Sequence, residues 1–328
     1  MSVQEHPALP GSDRRIGADA DSVWALRSSL AWTIVGSVVA LCLLLPLSRI
    51  RLEYQSFQSL LTVVAFLLFC AFVCRKRAFL KCSHVMEALA AGICLSVLVL
   101  ISSYLAISLG YPLADGRLAD IDRWLGFDGA AFIRTVDTMP LLSTILMYAY
   151  ASFGVQLTFL PILLILLGHS RRAFGLVLAY ALTCYASSLI SVFFPAVGAN
   201  VTYGIAATDL SSINAQFGFA FLNEFHAVRD LPVFTLSLAT AQGILTFPSV
   251  HTAVAVLCAA FAFGSRWLRY PFLFLNLAMA TSTLTHGGHY LIDVIAGCGV
   301  AGLAYFAVSL LAQRGRAPFR QASPVAVA

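Results

Sequence analysis

Residues 285–312 read "THGGHYLIDVIAGCGVAGLAYFAVSLLA", an apolar run with a polar opening. From residue 290 onward its only acidic or basic side chain is Asp293, and about 20 mainly apolar residues are enough for a helix to cross bilayer hydrocarbon. The same stretch opens with His286, His289 and Asp293, ionisable groups that a purely lipid-facing helix would not carry. It therefore predicts both a membrane span and chemistry at the mouth of that span.

Seven further apolar runs precede it, separated by polar breaks: 30–47, 57–74, 85–109, 141–168, 173–195, 248–264 and 270–285. With 60% hydrophobic and 11% charged residues in 328, and a mean hydropathy of +0.87, the chain is too apolar for a soluble domain. The expectation is an all-α, polytopic transmembrane bundle of about eight spans. The first run lacks a small-residue cleavage site and reads as a retained signal anchor, while the first 20 or so residues and the tail after Arg314 read as loose ends. The domain reading is a cytoplasmic tail at 1–29, a membrane domain at 30–312 and a second tail at 313–328. The eight cysteines form no disulfide or zinc framework in their spacing and read as small buried hydrophobes.

Basic residues concentrate in cytoplasmic loops. With eight spans, Arg49, Arg51, Arg117, Arg123, Arg134 and Arg229 fall on one side and the remaining fourteen of the chain's 20 basic residues on the other. Both termini are therefore expected in the cytoplasm, with His226, His251, His286 and His289 on the outer side. The outer connection 196–247 contains Ile213, Phe217, Phe221, Phe225 and Val228 at helical spacing, which predicts an interfacial amphipathic helix and a lid. "NVT" at 200–202 is a glycosylation acceptor on that side and carries little weight, and Glu87 reads as snorkelled or paired.

Two motifs carry candidate chemistry. His289 and Asp293 are four apart, so on one helix they share a face, where the carboxylate holds one imidazole nitrogen and raises the basicity of the other. That makes a nucleophile or general base, or else a structural hydrogen bond at a helix end. "TFPSVHTA", 246–253, opens the sixth run with Thr246 as a cap and Pro248 in the first turn. The N–H groups of Ser249, Val250 and His251 are then free for an anion such as phosphate, and His251 can donate a proton to a leaving oxygen. Its bland counterpart is an ordinary capped helix with an interfacial histidine. That both motifs fall on the same side favours chemistry.

"FPSVHT" followed by "HYLIDV" resembles the second and third signatures of the type 2 phosphatidic acid phosphatase superfamily. Within it, F-P-S-x-H and H-Y-x-x-D resemble the branch that holds inositol phosphorylceramide synthase, with a weaker echo in "DIDRWLGFD", 120–128. The resemblance implies a helical core of the phosphatidic acid phosphatase type 2 and haloperoxidase kind, with its motif core at 141–312. It implies that His289 attacks phosphorus to give a phosphohistidine, that Asp293 orients it and that His251 protonates the departing alkoxide, with no metal or other cofactor. The implied partners are a lipid phosphate or phospholipid substrate and the bilayer, and no nucleic acid.

The superfamily's first signature, K-x6-R-P, is absent, and Thr283 stands where the third signature has arginine. A phosphoryl group still needs positive charge in the transition state. Arg229 is the first candidate for that role and Arg123 the second, each alternatively a solvated charge paired with Asp230 or Asp122. Ser249, Gly288 and His286 complete the candidate phosphate contacts, His286 being alternatively an interfacial histidine. Water as acceptor makes a phosphatase and an alcohol makes a transferase. A transporter using the His/Asp cluster as a proton or substrate site, or a lipid-binding member without catalysis, are the rival readings.

Overall fold

The computed structural model describes residues 12–314, with side chains from Asp21 to Gln313. The tail after Arg314, and Arg316 and Arg320 with it, lie outside the described residues, as do the side chains of Arg14 and Arg15. Thirteen helices follow one another among the described residues: α1 Ser12–Leu44, α2 Tyr54–Lys76, α3 Leu80–Ser108, α4 Asp115–Trp124, α5 Gly129–Asp137, α6 Pro140–Leu166, α7 Ser170–Phe193, α8 Ala199–Thr202, α9 Gln216–Phe219, α10 Leu222–Asp230, α11 Val250–Phe263, α12 Arg269–Thr283 and α13 Leu291–Arg314. Two three-residue strands, β1 (Ile50–Leu52) and β2 (Phe234–Leu236), pair in parallel. Helix α1 starts at Ser12, so part of the segment that composition reads as a loose end is helical.

All eight apolar runs are helical. Six of the helices are long and apolar enough to cross a membrane, which makes this a multi-pass membrane protein. The sixth and seventh runs form α11 and α12, of 14 and 15 residues. At 1.5 Å per residue these rise only about 21–23 Å, against about 30 Å of hydrocarbon.

Helix α7 is the centre of the bundle. Its residues 173–181 are buried in unbroken sequence except at Tyr180's fringe, and it is surrounded by α1, α3, α6, α11 and α13. The core joins Leu26 and Leu30 of α1, Leu95 and Val99 of α3, Leu160 and Leu164 of α6, Val254 and Leu257 of α11, and Ala301 and Val308 of α13. Helix α11 has residues 252–255 buried in succession and touches α6, α7, α12 and α13, so its short length is matched by enclosure on all sides. Hydrophobic all round, it can exist only inside other helices or in lipid.

The connection 196–247 departs from the expected single amphipathic helix. Ile213 precedes α9, and the segment breaks between α9 and α10 at residues 220–221. The apolar residues divide accordingly: Phe221, Phe225 and Val228 pack with Tyr104 and Ile107 of α3 and with β1 and β2, whereas Ile213 packs with Ile133 and Leu146. The cysteines are all unpaired, but Cys42, Cys82 and Cys298 are exposed, which corrects the reading of all eight as buried; only Cys184 and Cys258 fit it fully.

Three buried carboxylates tie the connections at this end of the bundle together. Asp137 takes the amides of Ser211, Ser212 and Ile213 at 2.8–3.1 Å. Asp115 takes those of Val197 and Gly198 at 3.0 and 2.9 Å, and the Tyr290 hydroxyl at 2.9 Å. Asp122 takes those of Leu291 and Ile292 at 2.8 and 2.9 Å. Ionised acceptors make the stronger class of hydrogen bond, about 1.5–3 kcal/mol each, so these three side chains fix loops that apolar packing alone would leave loose. Burial alone would raise the Asp137 carboxyl, but the four donors from residues 211–213 outweigh it and hold the group at about 2. At Asp122 burial prevails and the carboxyl is pushed up, with the Leu291 and Ile292 amides pulling the other way.

Candidate active site

The site forms where the start of α11 meets the start of α13. Ser249, and not Thr246, is the N-cap of α11: its hydroxyl accepts from the Thr252 amide at 3.3 Å. The Ser249 amide, expected to be free for an anion, donates instead to the Asp293 carbonyl at 3.1 Å. Only Val250 and His251 of the three expected donors are left without a backbone acceptor. Gly297, one turn beyond Asp293, makes the approach possible, since a Cβ there would lie 2.5 Å from the Ser249 carbonyl oxygen.

Helix α13 begins at Leu291, so His289 lies before it and does not share a helical face with Asp293. The carboxylate reaches back toward the helix entrance. Its Oδ2 accepts the Tyr290 amide at 3.0 Å, half of a capping box, and lies 3.1 Å from His289 Nδ1. With the carboxylate ionised, the shared proton belongs on Nδ1, which leaves the Nε2 lone pair of His289 unengaged by Asp293. Asp293 is fully buried and His289 is 5% exposed.

His289 and His251 line one cavity of about 380 Å³. Its walls come from Tyr150 and Phe153 of α6, Ser96 and Ser103 of α3, and Tyr180, Cys184 and Ser188 of α7; Phe217, Phe221 and residues 243–246 of the outer connection complete it. The His251 ring stacks on Tyr150 at 4.2 Å and 10°, and lies 4.3 Å from the Phe153 ring. Phe217 in turn lies 5.2 Å from Tyr150. A pocket lined largely by apolar and aromatic groups with two imidazoles converging in it suits an amphiphile whose polar end reaches the histidines.

The other candidates are placed elsewhere. Arg123 is exposed, pairs with Asp120 rather than Asp122, and lines a separate recess with Asp128 and Tyr203. Arg229 donates to the Tyr111 carbonyl at 2.8 Å and lies over the Phe225 ring, away from the cavity lining. No arginine or lysine is among the described residues that line this cavity. Ser249 and Gly288 are beside the cavity and not in its lining; the Gly288 carbonyl is taken by the Ala199 amide at 2.7 Å. Gly288 has φ +64°, a conformation that glycine adopts without the Cβ penalty.

His286 also turns away. It is buried, its Nδ1 lies 2.9 Å from the Thr285 hydroxyl, and its Nε2 has no partner. Burial pushes it down to about 4, so at neutral pH it is uncharged and supplies no cation for a phosphate. Thr283, which stands where the signature has arginine, is buried with its hydroxyl 3.3 Å from that of Thr252.

Sequence reasoning missed the supporting shell: Asp115, Asp122, Tyr150, Phe153, Tyr290 and Gly297. Asp122 lies in the "DIDRWLGFD" segment, which was a signal without a role. Tyr150 and Phe153, three apart on α6, look like any other apolar-span aromatics until α11 is placed against them.

The family model described as PAP2 superfamily matches residues 116–307, which takes in α4 to most of α13. Comparison with the curated proteins and with the solved structures returned no match. The matched region covers more than half of the chain and both histidine motifs, and the chain belongs to the PAP2 superfamily.

Proposed function

We propose that the chain is a membrane lipid phosphatase or lipid phosphotransferase that acts on a lipid-linked phosphate ester through a phosphohistidine. One observation carries this reading: His289, backed by Asp293 at 3.1 Å, opens into the same cavity as His251. In the first step the His289 Nε2 lone pair attacks phosphorus, the bond from phosphorus to the lipid alkoxide oxygen breaks, and His251, protonated once the anionic phosphate lies beside it, gives that oxygen a proton. In the second step His251 takes a proton from the acceptor hydroxyl, whose oxygen attacks phosphorus as the phosphorus–nitrogen bond breaks. Asp293 stays ionised and holds the Nδ1 proton, keeping His289 in the attacking tautomer.

Positive potential for the phosphoryl oxygens comes in this scheme from the start of α11, where Val250 and His251 line the cavity and their amides have no backbone acceptor, together with the helix dipole. The F-P-S-x-H and H-Y-x-x-D forms favour the inositol phosphorylceramide synthase-like branch, in which an alcohol of a sphingolipid replaces water as acceptor. The gathering of Arg49, Arg51 and Arg229 at one end of the bundle, and of Arg27, Arg75, Arg172 and Arg269 at the other, supports cytoplasmic termini and a site on the outer side.

The test is phosphate release and headgroup transfer by the purified protein in detergent with EDTA, across lipid phosphates, pyrophosphates and phosphoinositides, beside His289→Ala. Turnover that persists in EDTA and vanishes in the variant supports the scheme. Turnover unchanged in the variant overturns it.

A further inference from the structure

A second and larger cavity, of about 730 Å³, lies between α1, α3 and α7. Helix α1 is pinned toward both ends, by Leu26 and Leu30 in the main core and by Leu41, which packs in a second cluster with Ile50 of β1. Between these anchors Thr33, Gly36, Ser37 and Ala40 are too small to close the gap to α3 and α7, and the gap remains as a groove. Along α1 it runs from Trp32 to Leu44, about 18 Å of helix. One leaflet's hydrocarbon is about 15 Å deep, half of the bilayer core.

Two polar features give this apolar groove a direction. Arg49 lines its outer end; its Nη1 donates to the Arg229 carbonyl at 3.2 Å, and it pairs with no carboxylate among the described residues. Ser188, 5% exposed, faces the groove with its Oγ buried and without a hydrogen-bond partner. Ser188 also lines the cavity of His251 and His289, so the two spaces share a wall.

We propose that this groove holds one phospholipid of the surrounding bilayer, its phosphate on Arg49 and an acyl chain lying along Gly36 toward Ser188. The leaflet-deep length fits a chain, and the unpaired cation at the headgroup end fits an anionic phosphate and not a neutral lipid or an apolar helix. The site does not depend on the chemistry assigned to His289; it places a resident lipid beside the lipid that reacts.

The groove can be filled without disturbing the protein, because a Cβ at Gly36 meets nothing within 4 Å. The full chain is reconstituted in phosphatidylcholine nanodiscs with phosphatidylglycerol bearing a diazirine near its acyl terminus, photolysed, and the adducts are mapped. The expected result is labelling concentrated on residues 32–44 and 185–192, lost in Gly36→Phe and kept in Gly36→Ala and His289→Ala. A diacylglycerol carrying the same diazirine should label these segments less, and Arg49→Gln should erase that difference. Even labelling of all lipid-facing helices, labelling unchanged in Gly36→Phe, equal labelling by the diacylglycerol, or cross-links to a second copy of the chain at these segments would each overturn the proposal. Loss of turnover in His289→Ala with labelling intact separates this site from the catalytic reading.

Discussion

Asp122 and Leu291 are 169 residues apart in sequence, yet the Asp122 carboxylate accepts the Leu291 amide at 2.8 Å and caps the helix that carries Asp293. An acidic side chain borrowed from another element thus does what an N-cap residue usually does, and it fixes where α13 begins. Because Asp293 reaches back from the first turn to His289, the position of that first turn sets the geometry of the pair.

Asp122→Ala is expected to cost about 0.5–2 kcal/mol, the range for a lost cap. Turnover should fall by more than this loss of folded protein explains, since the His289–Asp293 pair shifts with the helix end. Thermal unfolding and kcat on the same preparation check it; a variant with lowered Tm and unchanged kcat would show that α13 keeps its register without the cap.

Gly297→Ala places a methyl group against the Ser249 carbonyl, 2.5 Å away in the unrelaxed structure. Backbone cannot yield as a flexible side chain does, so α11 and α13 must separate, at about 1–3 kcal/mol for overpacking. The expected signature is a fall in kcat with a modest drop in Tm, whereas Gly299→Ala, whose Cβ meets nothing within 4 Å, should behave as the parent.

If His251 protonates the leaving alkoxide, His251→Ala should lower turnover of lipid esters by about 10²–10⁴-fold. A nitrophenyl phosphate ester, whose leaving group needs no proton, should lose far less. Equal losses on both substrates would remove His251 from the acid role and leave it as a wall of the cavity stacked on Tyr150.

Asp137 provides the pH test. Its carboxyl is held at about 2 against an ordinary 3.8, so it stabilises the fold fully above pH ~4 and loses that contribution as pH falls through about 2. The shift corresponds to about 2 kcal/mol. Asp137→Asn should therefore be less stable than the parent by about that amount at neutral pH, and the difference should shrink between pH ~4 and ~2 in denaturation curves taken across this range.

The membrane class, the helical runs and the two histidine motifs are legible in the residues alone, because each rests on local properties: an apolar run needs about 20 residues to span, and a motif needs only its own spacing. The sequence misjudged whatever depends on what lies across the bundle. Residues 289 and 293 suggested one helical face, but the helix starts two residues later because Asp122, far away in the chain, caps it there. Charge and expected side of the membrane point to Arg229 and Arg123, but tertiary packing sends one to Tyr111 and the other to Asp120. The cavity itself was invisible in the sequence: α6, α7 and α3 supply its walls at positions that read as ordinary core, and their convergence on His251 is a property of helix packing, which no local pattern encodes.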